Sequence, residues 1–160
     1  MSVIIGIDPG LKGGLCVLEG SDILFVDRVP LTPISKGKVD YDLEGMANMI
    51  RPYLDKKPIV YLERVGARPK QGVTSMFTFG RGYGIWIGIC AAFQIPIKYA
   101  WPTKWKRKLV VDKKGKEGAI KVAQELFPDV DLKPGRSIKN HDGMADAICI
   151  AFYGGLEEWS

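Results

Sequence analysis

Cysteine, histidine and long apolar runs are all scarce in this chain. The cysteines are Cys16, Cys90 and Cys149. Their number is odd, no two share a metal-ligand spacing, and each sits among apolar neighbours. A disulfide scaffold and a cysteine zinc site are therefore not expected; buried free thiols in a reducing compartment are. The one histidine is His141. The longest apolar run, Ile85 to Phe93, is too short to span a bilayer, which takes about 20 residues. Met1 to Gly6 has no basic stretch and turns strand-like at once, so neither a signal nor a transit peptide is expected.

What is present describes a globular chain with a lopsided charge. Its 160 residues suit one domain with a sizeable core, residues 1–160, and leave too little for a second. Hydrophobic residues make up 46% and charged residues 26%, which argues against extended disorder. The net charge is +5, from 23 Lys and Arg against 18 Asp and Glu. The excess is local: residues 98–140 carry 12 basic and 5 acidic side chains, and the rest carry 11 and 13. A basic surface for a polyanion and a solvated lysine-rich loop both fit that pattern.

Val3 to Ile7 is apolar and β-branched, as a strand buried on both faces reads, and it stops at the Asp8-Pro9-Gly10 turn. Strands over Leu15–Leu18 and Ile23–Val29, joined by a short turn, complete an antiparallel meander. Pro30 to Val39 reads as a loop. Asp40 can cap a helix whose stripe runs through Leu43, Met46, Met49, Ile50, Tyr53 and Leu54. A fourth strand, Ile59–Leu62, ends at Glu63. A loop over 64–72 precedes a long helix, Val73 to Phe93, and a fifth strand, Pro96–Tyr99. Trp101 to Val111 suggests a short basic helix, and Gly115 to Phe127 another. Asn140 would cap a last helix, His141 to Tyr153, halted by Gly154-Gly155. The order predicts an α/β fold: one mixed five-stranded sheet, three antiparallel strands plus two parallel ones, flanked by helices.

Two carboxylates end two buried strands. Alternation puts Ile4, Gly6 and Asp8 on one face, and Ile59, Tyr61 and Glu63 on one face. If those strands are parallel neighbours, the two acids meet at the carboxyl ends, where α/β sheets place their sites. Taken singly, each could be a turn aspartate or a surface glutamate. Asp142 and Asp146 stand four apart on one helical face, where like charges repel unless a cation lies between them. Asp142 also favours the helix dipole, but Asp146 lies within an otherwise apolar stretch, where a carboxylate is costly unless paired. Four carboxylates with few other ligands suit Mg²⁺ or Mn²⁺ rather than zinc. Two such ions about 3.5–4 Å apart would clamp the attacking and leaving oxygens of a phosphodiester. A basic surface beside such a site is what a nuclease needs.

These residues carry a resemblance. Ile5-Gly6-Ile7-Asp8-Pro9-Gly10, Tyr61-Leu62-Glu63 and Asp142 to Ala147, in that order, resemble the RuvC-type Holliday-junction resolvases of the RNase H-like superfamily. Gly80-Arg81-Gly82-Tyr83-Gly84 to Phe93, Ile95-Pro96-Ile97 and the basic stretch extend it from Val3 to about Phe152. The resemblance implies an RNase H-like fold. It also implies a homodimeric endonuclease that nicks two strands of a four-way DNA junction, with two Mg²⁺ per site (Mn²⁺ as substitute). Asp8, Glu63, Asp142 and Asp146 are the implied catalytic metal ligands. Bacterial members often carry the last two site residues three apart; here they are four apart and follow His141, which looks more like the phage and organellar branches. That spacing leaves the fourth group open between Asp142, favoured by the oxygen preference of hard ions, and His141. His141 would otherwise assist proton transfer, bind phosphate or simply cap its helix. A cytoplasmic setting, in a bacterium or a phage-infected host cell, goes with this reading, with an organelle as the alternative.

The same reading distributes the DNA surface. Arg64, Arg68 and Lys70 directly follow Glu63. Some relatives use an aromatic wedge there, but none lies between Arg64 and Ser75; Phe77 and Phe79 would be substitutes or core. Arg81 lies at the start of the glycine-rich helix. Trp101 to Lys108 mixes indoles with Lys104, Lys106, Arg107 and Lys108, which fits phosphate gripping, base stacking or a tryptophan-anchored basic turn. Lys113, Lys114, Lys116, Lys133, Arg136 and Lys139 would extend that surface. Gly80, Gly84, Gly88 and Ala92 leave one bare helix face, for packing on its own sheet or for a second copy of the chain. A hybrid or flap nuclease and a non-catalytic junction-binding protein are the alternatives.

Overall fold

The computed structural model describes residues 1–112 and 115–160. The apolar runs become strands: β1 (Val3–Asp8), β2 (Gly14–Glu19), β3 (Asp22–Arg28), β6 (Ile59–Glu63) and β7 (Ile97–Ala100). They form one sheet in the order β3-β2-β1-β6-β7. β1 and β2, and β2 and β3, pair antiparallel, whereas β1–β6 and β6–β7 are parallel. This is the mixed five-stranded sheet that the sequence predicts.

Strand alternation divides the core into two layers. Ile4, Cys16, Leu18 and Tyr61 pack with Trp105 and with the apolar side of the last helix. Val3, Ile5, Ile7, Leu15, Val17, Val60 and Leu62 pack on the other face with Met46, Ile50, Trp86 and Cys90. The helices are α1 (Leu43–Ile50), extended by a 3-10 turn over Arg51–Lys56, then α2 (Val73–Ala92), α3 (Pro102–Lys108), α4 (Glu117–Leu126) and α5 (Asp142–Trp159). All three cysteines are buried and free. Among the described residues, no helix is long and apolar enough to cross a membrane.

Four local expectations are corrected. Pro30 to Val39 is no loop: β4 (Leu31–Ser35) and β5 (Lys38–Tyr41) form a separate antiparallel hairpin. Its composition hid it, because β4 is exposed at every position and so shows no buried alternation. Asp42, not Asp40, caps α1, accepting from the Gly45 N–H at 2.9 Å. Asp40 instead pairs with Arg81. His141, not Asn140, caps α5, its Nδ1 accepting from the Met144 N–H at 3.1 Å. Finally, α5 runs on through Gly154 and Gly155 to Trp159. A Cβ at Gly154 would come within 2.6 Å of the Tyr61 ring, so packing, not a helix stop, requires glycine there.

Candidate active site

The site is set by how α5 lies on the sheet. A Cβ at Gly14 would meet the Gly143 carbonyl oxygen at 2.7 Å, and one at Gly6 would reach the Ala151 Cα at 2.8 Å. Bare backbone on both sides lets the start of α5 sit against the β1–β2 turn. Its first two turns therefore stand beside the carboxyl end of β1. Gly10, at φ 110°, makes the turn after Asp8 in a conformation that favours glycine, with the Phe79 ring against it.

In the parallel β1–β6 register Gly6 faces Tyr61 and Ile7 faces Leu62, so Asp8 and Glu63 leave the sheet side by side. The expected pairing of these two strand ends is what the topology delivers. Asp8, Glu63, Asp142 and Asp146 are all half-buried, and they act on one another. Asp8 is pushed well above the ordinary carboxylate range, first by burial, then by Glu63 and Asp146 and a hydrogen bond with Asp146, then by Asp142. Asp146 is pushed up to about 7, again chiefly by burial, with Glu63 and Asp142 adding to it and Lys106 opposing. Burial also raises Glu63, while the Trp105 indole, Lys106 and Arg68 pull it down. The site thus gathers negative charge in poor solvent, which is unfavourable unless protons or cations offset it.

No lysine or arginine makes an ion pair with Asp8, Glu63 or Asp146 among the described residues; Asp142 has only a loose one, 3.9 Å from the exposed Lys116. Nor, among those residues, do three or more His, Cys, Asp or Glu side chains form a ready cage for a metal ion. The charge is concentrated, but the oxygens are not arranged as a coordination shell. Burial lowers the pKa of His141, so its neutral ring is favoured. With Nδ1 accepting the helix N–H, that ring carries its proton on Nε2 and donates from there. Capping occupies the nitrogen that could otherwise have accepted.

The sequence did not single out Trp105 as a partner of Glu63. Fully buried, it donates from Nε1 to Glu63 Oε2 at 3.0 Å and so fixes one carboxylate oxygen. The available signal was helical spacing: Trp101 and Trp105 lie four apart from the Pro102 start of α3, and an amphipathic helix turns part of its surface inward. Here Trp101 stays out, 49% exposed. The Lys106 ammonium lies 5.3 Å from the Trp105 ring centroid.

Arg64, Arg68, Lys70, Lys104, Arg107, Lys108, Lys116 and Lys139 are exposed. Arg81 is turned onto Asp40 and lies over the Tyr41 ring, 5.5 Å from its centroid. Lys113 and Lys114 lie outside the described residues. Phe77 is not core but 71% exposed. The bare face of α2 does not pack on its own sheet either: a Cβ at Gly80, Gly84 or Gly88 would meet nothing within 4 Å.

No protein-family model matches the chain, and no curated protein matches its sequence. Solved structures match it from end to end. Against "T. thermophilus RuvC in complex with Holliday junction substrate" the TM-score is 0.64 at 18% identity, covering 98% of this chain and 96% of that one. Against "Thermus thermophilus RuvC structure" it is 0.60 at 19% identity, covering 97% and 96%. The likeness is one of fold: the mixed five-stranded sheet and its helices follow the fold of these two structures.

Proposed function

We propose that the chain is a single nuclease domain, residues 1–160, that resolves four-way DNA junctions by metal-dependent hydrolysis, acting as a homodimer. The observation that carries this is the acid cluster. Asp8, Glu63, Asp142 and Asp146 come from two adjacent parallel strands and one helix; burial opposes the charge of Asp8, Glu63 and Asp146, other acids of the cluster add to that at Asp8 and Asp146, and among the described residues no basic side chain forms an ion pair with these three. A purely structural cluster would be expected to pair its charges. All-oxygen donors in a partly dry site fit hard divalent cations, Mg²⁺ with Mn²⁺ as substitute. The end-to-end match to a RuvC described with a Holliday junction substrate supports branched DNA as the ligand.

The four carboxylates would hold the ions, with Asp142 rather than the capping His141 as the fourth. Bound there, two cations would supply charge neutralisation at the attacking and leaving oxygens of the phosphodiester. The chain's own residues supply the setting. Trp105 holds one Glu63 oxygen by a hydrogen bond and so restrains the carboxylate. Lys106 holds positive charge near Glu63 and Asp146. Arg64, Arg68 and Lys70 beyond Glu63, with Lys104, Arg107 and Lys108 on α3, offer cations to the backbone phosphates that flank the reacting one. Gly80, Gly84, Gly88 and Ala92 leave the side of α2 open for a second copy, which would bring a second site to the opposing strand.

The test is cleavage of a synthetic four-way junction, with and without Mg²⁺, in competition with a flap, an RNA–DNA hybrid and a plain duplex. Mg²⁺-dependent paired nicks in the junction are expected. Preferred cutting of the hybrid or flap would replace this reading, and binding without any cleavage would leave a junction-binding protein.

A further inference from the structure

We propose that Arg64, Tyr99 and Trp101 form a stacking site for an unpaired nucleobase beside the acid cluster. β7 brings them together: Glu63 registers with Ala100, and the Arg64 N–H donates to the Ala100 carbonyl at 2.8 Å. The residues on either side of Ala100 thereby flank the one that follows Glu63. The Arg64 guanidinium lies over both rings, 5.2 Å from the Tyr99 centroid and 5.7 Å from the Trp101 centroid. Its Nη1 donates to the Tyr83 hydroxyl at 3.3 Å, and the Tyr83 and Tyr99 rings lie 6.4 Å apart. Tyr99 is 40% and Trp101 49% exposed, and neither belongs to either core layer.

Two observations favour a ligand over plain packing. Trp86 and Trp105 are fully buried; Trp101 leaves its indole at the surface, where it stabilises no core. Arg64 directly follows an acid, yet it makes no ion pair among the described residues and lies on the rings instead. A guanidinium held over aromatic rings keeps N–H donors for a phosphate while the rings offer a surface to a base. In duplex DNA the faces of each base are covered by its neighbours. The indole can therefore take only a base out of the stack, as at a strand crossover or in a single strand. Stacking reads a π-face and not base identity, so the site selects for strand structure and not for sequence.

This rests on the nucleic-acid reading of the neighbouring acids, and its test needs neither metal nor a junction. In EDTA, wild type is titrated with a short single-stranded oligonucleotide and with its duplex while tryptophan emission is followed. The single strand is expected to quench emission, and Trp101→Phe to abolish that quenching while retaining most of the affinity. Trp101→Ala and Tyr99→Ala should each weaken single-strand binding about tenfold and leave duplex binding within about twofold. Quenching that persists in Trp101→Phe, or equal losses for single strand and duplex, would overturn the site, with the melting temperature of Trp101→Phe reporting on the fold. If this pattern holds but no junction is cut, the resolvase reading alone has failed; cleavage without the pattern removes the stacking site alone.

Discussion

Replacing Asp146 with Asn should stabilise the metal-free protein and destroy its activity. Asp146 titrates near 7 instead of the ordinary 3.8, because burial and the neighbouring acids oppose its charge. The folded chain therefore holds a proton there that the unfolded chain gives up. Below about pH 4 both states are protonated, and Asp and Asn should differ little. Between about pH 4 and 7 the unfolded wild type ionises first, so its fold loses stability that the Asn variant keeps. Above about pH 7 the loss is complete. A shift of about three pH units corresponds to about 4 kcal/mol, an upper figure because the acids titrate together. A gain of about 2–4 kcal/mol for the variant at pH 8 is expected, roughly 5–15 °C in melting temperature for a chain this size. Thermal melts of both proteins in EDTA at pH 4, 6 and 8 measure it. Added Mg²⁺ should narrow this gap and, at high excess, reverse the order: the protein that binds it gains about 2.7 kcal/mol at a hundredfold excess over Kd and about 4.1 kcal/mol at a thousandfold, and Asn offers a weaker site. A variant no more stable than wild type at pH 8, or a difference that does not shrink toward pH 4, would refute this account of the cluster.

Other outcomes follow from the same geometry. Asp8→Asn should abolish cleavage in Mg²⁺ while junction binding persists in a gel-shift assay; retained cleavage would remove Asp8 from the site. Replacing Lys106, Arg107 and Lys108 together with Gln should weaken junction binding and lower its salt slope by up to about 2.7, which is about 0.9 for each phosphate no longer neutralised. An unchanged slope would put the DNA elsewhere. Gly84→Glu places charge in the open space beside α2 without touching the core; it should shift the molar mass by light scattering from dimer to monomer and uncouple the two nicks. An unaltered mass would move the interface off this helix.

Local pattern was enough for the sheet and for most of the acids. β-Branched runs, turn residues and strand alternation announce β1, β2, β3 and β6, and put Asp8 and Glu63 at strand ends before any contact is known. The four-residue spacing alone sets Asp142 and Asp146 on one helical face. These are short-range properties, in which each residue's neighbours in sequence are also its neighbours in space. The remainder depended on distant partners. That Asp8 and Glu63 stand side by side follows from the parallel β1–β6 pairing, and their nearness to Asp146 from bare glycine backbone at Gly6, Gly14 and Gly143. The β4–β5 hairpin escaped because an exposed strand has no buried side to give it a period. Gly154-Gly155 reads locally as a helix stop, yet Tyr61 and Trp159 close on those residues and the helix continues. Trp105 meets Glu63, and Arg64 meets Tyr99 and Trp101, across 35 to 42 positions of chain. No spacing rule reaches that far, so only the packed fold pairs those side chains.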